Sequence, residues 1–131
     1  MFEKSPIPRW RTYKERYRLQ GCKCTECNVI YYPSKYLCKC GSQHFESVQF
    51  KGTGTLLTFT KIHVPSIIFT KRSPYIIGMV RLDEGPKIIA QITDMELEKL
   101  KIGIKLQAVF RLYSYASDKG IIHYGIKFIP I

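Results

Sequence analysis

Residues 20–45 read QGCKCTECNVIYYPSKYLCKCGSQHF, and the division of the chain follows from this stretch. It holds all five cysteines, at positions 22, 24, 27, 38 and 40. Cys24 and Cys27 are separated by two residues, the spacing of a metal knuckle. After ten intervening residues come Cys38 and Cys40, separated only by Lys39 and followed by Gly41. Two such corners let four thiolates converge tetrahedrally on one ion, and Gly41 suits the backbone turn after the last ligand. The preferred set is Cys24, Cys27, Cys38 and Cys40, with Cys22 as an alternative ligand in place of Cys24 or Cys38. Four protein thiolates leave no open coordination position, so the expected site is structural. Zinc is the expected ion, and spacing alone leaves iron open. A module this small has little core of its own and depends on its metal to stay folded.

Outward from that stretch, composition sets the frame. The 131 residues carry 21 Lys+Arg against 10 Asp+Glu, a net charge of +11, and 45% are hydrophobic. This excludes a mostly disordered chain and suits about one domain, or a small core plus a stapled module. No apolar run approaches the ~20 residues that span a bilayer, so no membrane association is expected. The N-terminus lacks an apolar signal core, which makes the cytoplasm the expected location and metal binding the expected use of paired cysteines.

Toward the N-terminus, Pro6 and Pro8 favour extended chain, and Arg9–Leu19 suits a helix of about three turns. Trp10, Tyr13 and Tyr17 share one face of it. Arg11 and Arg18 stand among the basic residues elsewhere on it, and residues 1–20 carry +4 of the total charge, six Lys+Arg against two Glu. Trp10, Tyr13, Tyr17, Arg11 and Arg18 are the candidate partner-docking residues, since aromatics and arginine dominate interface energetics. The plain alternative is that the rings pack on their own domain.

Toward the C-terminus the chain turns β-rich. Five strands are expected: about 48–62, with Gly52 and Gly54 as bending points, then 75–82, 87–92, 105–115 and 121–128. DEGP at 83–86 and SDKG at 117–120 are turns. Asp94 is the expected cap of a short helix over MELEKL, 95–100. Five strands with a short helix between the third and fourth is the order of an OB barrel. The fold class is therefore mainly β, with segments 1–19 (helical), 20–45 (metal ribbon) and 46–131 (OB-fold domain).

Nothing in the sequence arranges catalytic groups. The three histidines lack metal or triad spacing, and Gly52-Thr-Gly54 is no dinucleotide fingerprint. His44, just after the cysteines, reads as a surface or packing residue. Lys71, Arg72 and Arg81 lie near Pro74 and the second strand and are candidates for contacting an anionic ligand, with ordinary solvated surface as the alternative. The competing function is RNA or single-stranded DNA binding, with Phe50, Phe59, Phe110, Tyr113 and Tyr115 as a stacking platform.

The opening PRWRTYKERYRL (8–19), the cysteine module ending in CGS and the closing IIHYGIKFIP (121–130) resemble domain-of-unknown-function family 35 over essentially the whole chain. The resemblance implies a helical segment, a rubredoxin-like zinc ribbon and a C-terminal OB fold. It places the metal on Cys24, Cys27, Cys38 and Cys40. It also implies an archaeal or bacterial, acyl-CoA-associated, noncatalytic scaffold for thiolase and 3-hydroxy-3-methylglutaryl-CoA synthase-type enzymes, joined so that a thioester intermediate passes between them. Members usually have two residues between the last two cysteines; this chain has one. The closing motif's Tyr124, Gly125 and Lys127 are assigned first to the barrel.

Overall fold

A computed structural model describes residues 6–67, 74–115 and 122–131. Two short helices open the chain, α1 (Pro6–Arg11) and α2 (Tyr13–Arg18). Helix begins earlier than expected, because proline in a first turn removes an N–H that has no intrahelical partner. Thr12 divides the expected single helix at φ −108°, ψ 10°. Its N–H reaches Pro8 O (3.2 Å) and its hydroxyl donates to the same carbonyl (3.0 Å), so the two helices run almost continuously. Leu19 ends α2 in the left-handed conformation (φ 51°) and turns the chain into the ribbon.

The ribbon is a three-stranded antiparallel sheet in the order β2-β1-β3, from β1 (Gln20–Cys24), β2 (Ile30–Tyr31) and β3 (Phe45–Gln49). Five strands then close into a barrel: β4 (Thr53–Ile62), β5 (Tyr75–Leu82), β6 (Lys87–Ile92), β7 (Lys105–Tyr115) and β8 (Ile122–Pro130), in the order β4-β5-β6-β8-β7. Renumbered within the barrel this is 1-2-3-5-4, the OB connectivity. The expected long strand over 48–62 is two strands in two sheets. The break falls at Phe50–Gly52, where Gly52 takes φ +85° and its carbonyl accepts from Ala108 N (2.7 Å). A positive φ of this kind is open mainly to glycine, so the crossing from ribbon to barrel is written at that position.

The barrel core is built from alternate positions. Leu56, Val80, Leu106 and Phe128 are completely buried, with Ile76, Leu82, Ala90, Ile92 and Leu100 around them. Leu19 and Phe50 belong to the same cluster, and Phe50 N–H donates to Leu19 O (3.2 Å). The ribbon is therefore seated on the barrel through shared core. The MELEKL segment forms only a single 3-10 turn at Leu97–Lys99. Asp94 does not cap it: its φ of +60° is incompatible with the extended backbone of an N-cap. Its carboxylate accepts instead from Thr93 Oγ1 (3.2 Å) and Arg111 Nη2 (3.4 Å).

Asp83, in the 83–86 turn, ties three strands together. One carboxylate oxygen accepts from Lys105 Nζ (2.7 Å) at the start of β7, the other from Thr53 Oγ1 (2.6 Å) at the start of β4. The Lys105 hydrogen bond first, and that of Thr53 second, hold the carboxyl below its ordinary value. A depressed folded-state pKa stabilises above the unfolded carboxylate value of about 4 and loses that contribution as pH falls through the folded value. Melting temperature followed from pH 6 downward is expected to fall less steeply for Asp83→Asn than for the wild type. Parallel curves would remove Asp83 from the acid response.

Candidate metal centre and docking surfaces

The metal centre starts from two turns that mirror each other. Cys24 ends β1, and Cys27 follows in a tight turn closed by Asn28 N–H to Cys24 O (3.0 Å). Cys38 and Cys40 lie in a second turn, closed by Gly41 N–H to Cys38 O (2.9 Å). The residue after each second cysteine is left-handed, Asn28 at φ 59° and Gly41 at φ 89°. Gly41 does what its position suggested. Asn28, the single asparagine of the chain, does the same, being among the few non-glycine residues that tolerate this conformation.

These turns bring the Sγ atoms of Cys24, Cys27, Cys38 and Cys40 within 4.8 Å of one another. Cys24 and Cys40 are 3.7 Å apart and Cys27 and Cys38 3.3 Å. Four sulfurs at about 2.3 Å from a tetrahedral ion stand roughly 3.8 Å apart, so the donor set fits one metal ion. Cys24 and Cys38 are buried, while Cys27 and Cys40 reach the surface. Cys22 stands outside the cluster. Its sulfur accepts from Lys35 N (3.3 Å) and anchors the loop that leads to Cys38. His44 is also outside: it is exposed, and its carbonyl accepts from Thr25 Oγ1 (3.2 Å).

The electrostatics of the four sulfurs are split. Backbone hydrogen bonds from Cys40, then the Tyr31 hydroxyl, draw the Cys38 thiol down to about 6. Backbone hydrogen bonding, from Cys27 first, lowers Cys24 as well. Cys40 moves the other way. A backbone hydrogen bond from Ser42 favours its thiolate, yet the neighbouring Cys38 sulfur and desolvation push it up to about 12. Cys27 is likewise raised by Cys38 and burial against a backbone bond from Val29. Two sulfurs ionise readily and make the other two reluctant. A central dication lets all four ionise together, which is why such sites bind metal with release of protons.

At the N-terminus, Trp10 stacks on Tyr13 (5.1 Å, 22°) and Arg18 lies over the Tyr13 ring (5.4 Å). Trp10 remains 73% exposed, and Arg11 and Arg18 are exposed. Tyr17 turns inward, edge-on to Phe110 of β7 (5.5 Å), and Phe110 stacks on Tyr124 of β8 (5.4 Å, 12°). Arg9 and His123 meet at 3.1 Å, and burial together with Arg9 lowers the imidazole. The Phe110–Tyr124 seat was missed in the sequence, where Phe110 read as a stacking candidate for nucleic acid and Tyr124 as a barrel residue.

Lys71 and Arg72 lie outside the described residues. Arg81 is exposed near the far end of β5, paired across strands with Thr55 and Lys87. Seven residues of strand separate it from Pro74, roughly 20 Å. Of the rings considered as a stacking platform, Phe50 is in the core, Phe59 is half-buried against it, and Phe110 has Tyr124 on one face. Tyr113 packs over Gly125 and donates its hydroxyl to Ile126 O. The Tyr115 side chain lies outside the described ones. The described rings thus serve mainly inside the molecule. No helix among the described residues is long and apolar enough to cross a membrane.

Comparison with known proteins agrees with this architecture. Residues 47–111 match the family model of the ChsH2 C-terminal OB-fold domain. A DUF35 domain-containing scaffold protein of Methanocaldococcus jannaschii is 40% identical over 131 residues, covering 98% of this chain and 93% of that one. One of Pyrococcus furiosus is 39% identical over 123 residues, covering 93% and 90%. A solved structure named Ltp2-ChsH2(DUF35) aldolase superposes with a TM-score of 0.74 at 22% identity, over 98% of this chain and 96% of that chain, and so shares the fold. With both full-length relatives far above the level at which family is in question, the chain belongs to the DUF35 domain-containing scaffold proteins.

Proposed function

We propose that the protein is a noncatalytic, acyl-CoA-associated scaffold or accessory subunit of the cytoplasm. It would hold thiolase and 3-hydroxy-3-methylglutaryl-CoA synthase-type enzymes together so that a CoA thioester passes between them. The observation that carries this reading is where large apolar side chains are left outside. Trp10 on α1, Tyr36 in the ribbon, and Val64 and Ile67 after β4 are 73%, 94%, 89% and 94% exposed. They lie on three separate segments of the chain, which suits several protein contacts better than one small-molecule pocket. The names of the relatives support a scaffold, and the structural neighbour's name joins a DUF35 chain to a second protein in an aldolase.

In this reading the four cysteines hold zinc, and the ion's part is to cross-link the ribbon. Trp10 and Arg11 meet the partner, with Tyr13 and Arg18 bracing Trp10 from beneath. Tyr17 fixes the helix to the barrel. Lys71, Arg72 and Arg81 are the CoA-facing candidates. The nucleic-acid alternative loses its main support with the rings used in packing.

Capture with a tagged copy from nuclease-treated native extract, at salt that suppresses loose phosphate contacts, tests the proposal. Mass spectrometry is expected to find a thiolase and a synthase-like enzyme in stoichiometric amounts. Trp10→Ala is expected to reduce that recovery roughly tenfold or more with the melting temperature unchanged. Recovery of RNA-bound proteins and no thiolase-family enzyme would overturn the reading.

A further inference from the structure

The two cysteine turns differ by one residue, and the difference falls on one sulfur. In the first turn the Cys24 carbonyl takes the N–H of Asn28, four residues on (3.0 Å), and the N–H of Cys27, three residues on, acts on the sulfur and lowers the thiol, as does that of Glu26 to a smaller extent. In the second turn the backbone group that lowers the Cys38 thiol is that of Cys40, two residues on. The donor three residues on would be Gly41 N–H, and it is spent on the Cys38 carbonyl at 2.9 Å. Cys38 is nevertheless approached by a second donor. The Tyr31 hydroxyl lies 3.4 Å from its sulfur.

We propose that Tyr31 is a positioning residue of the metal centre, its hydroxyl donating to the Cys38 sulfur in place of the second backbone N–H that the shortened Cys38–Cys40 turn does not supply. The proposal rests on the metal reading above. A metal-bound thiolate carries no proton, so in that state the phenol is the donor. Tyr31 is well held for this task. It sits in β2 in register with Cys22 of β1, its ring meets Phe45 edge-on (6.3 Å), and Lys35 Nζ lies over the ring at 4.6 Å. Lys35 is itself fixed through its backbone N–H on the Cys22 sulfur. The fifth cysteine thus serves the centre at one remove, by seating the lysine that seats the tyrosine. Outer partners of this kind orient ligands and typically change metal affinity by about 10–100-fold when removed.

The test uses the zinc-loaded full chain. Tyr31→Phe removes one oxygen and keeps the ring contacts. Zinc release to a colorimetric chelator is expected to quicken roughly tenfold. Time-resolved alkylation with peptide mapping should show a larger gain in reactivity over wild type at Cys38 than at Cys24, Cys27 or Cys40. Tyr75→Phe, in β5 of the barrel, should release zinc as the wild type does. One residue inserted between Lys39 and Cys40 in the Tyr31→Phe background restores two-residue spacing and is expected to slow release again. Wild-type release from Tyr31→Phe, added reactivity at Cys27 or Cys40 instead, or an insertion that restores nothing would overturn the proposal. A wild-type chain that gives no thiolate charge-transfer band with Co2+ would sink the metal reading itself, before any variant is compared.

Discussion

Cys24→Ser is expected to unfold the ribbon and leave the barrel standing. Cys24 is fully buried at the end of β1, and its sulfur is 3.7 Å from Cys40 across the cluster. The ribbon has few other means of support. β2 has only two residues, and two of the four clustered cysteines are among its few buried side chains. Structural zinc contributes on the order of 10 kcal/mol of apparent folding free energy in such modules, so the loss of a ligand outweighs what three short strands retain. The barrel has its own buried set and closes through its own strand pairs. Hydrogen exchange followed by mass spectrometry should lose protection over 20–45 and keep it over 53–62 and 75–82. Chelation of the wild type should give the same pattern, more readily at lower pH, where protons compete for the sulfurs. A ribbon that keeps its protection without metal would show that packing alone holds it.

Gly125→Ala is expected to destabilise the barrel strongly. A Cβ there would stand 2.0 Å from the Tyr113 ring, with a second ring atom at 2.6 Å. The ring has little freedom to withdraw, because its hydroxyl is bonded to Ile126 O and Lys127 Nζ lies 5.4 Å from its centroid. Overpacking typically costs about 1–3 kcal/mol, and a contact this short between rigid groups belongs at the upper end. For a domain of this size that corresponds to a fall in melting temperature of more than about 10 °C. Tyr113→Ala in the same chain should recover part of the loss, because it removes the atoms that collide. A Gly125→Ala protein that melts with the wild type would show that β7 and β8 part easily.

Much of this molecule was legible before any coordinates. Strand order, the 83–86 turn and the four-cysteine grouping followed from period-two runs, glycine and proline punctuation, and knuckle spacing, while the SDKG stretch at 117–120 lies outside the described residues. The misreadings have particular causes. Pro6 and Pro8 argue against helix interiors and say nothing against a first turn. Asp94 looked like a cap because its neighbours did, yet its backbone is left-handed. The stretch 48–62 read as one strand, since residue type cannot show that its two halves pair with different sheets. Tyr31 and the Phe110–Tyr124 seat were invisible for a simpler reason. Each acquires its role from a partner distant in sequence or across a strand pair, and only packing brings them together.

The bond between Phe50 and Leu19 has a consequence for how such a protein brings enzymes together. Entry to and exit from the ribbon are clamped at one point, and both residues are sunk in the barrel core. The ribbon is therefore no pendant on a string. A flexible tether lets its two cargoes explore a cloud of separations, and their effective concentration falls as the cloud grows. A body without slack holds its cargoes at one separation and one mutual angle. Under the proposed function, an intermediate leaving the first enzyme would then meet the mouth of the second at a distance set by architecture rather than by chance.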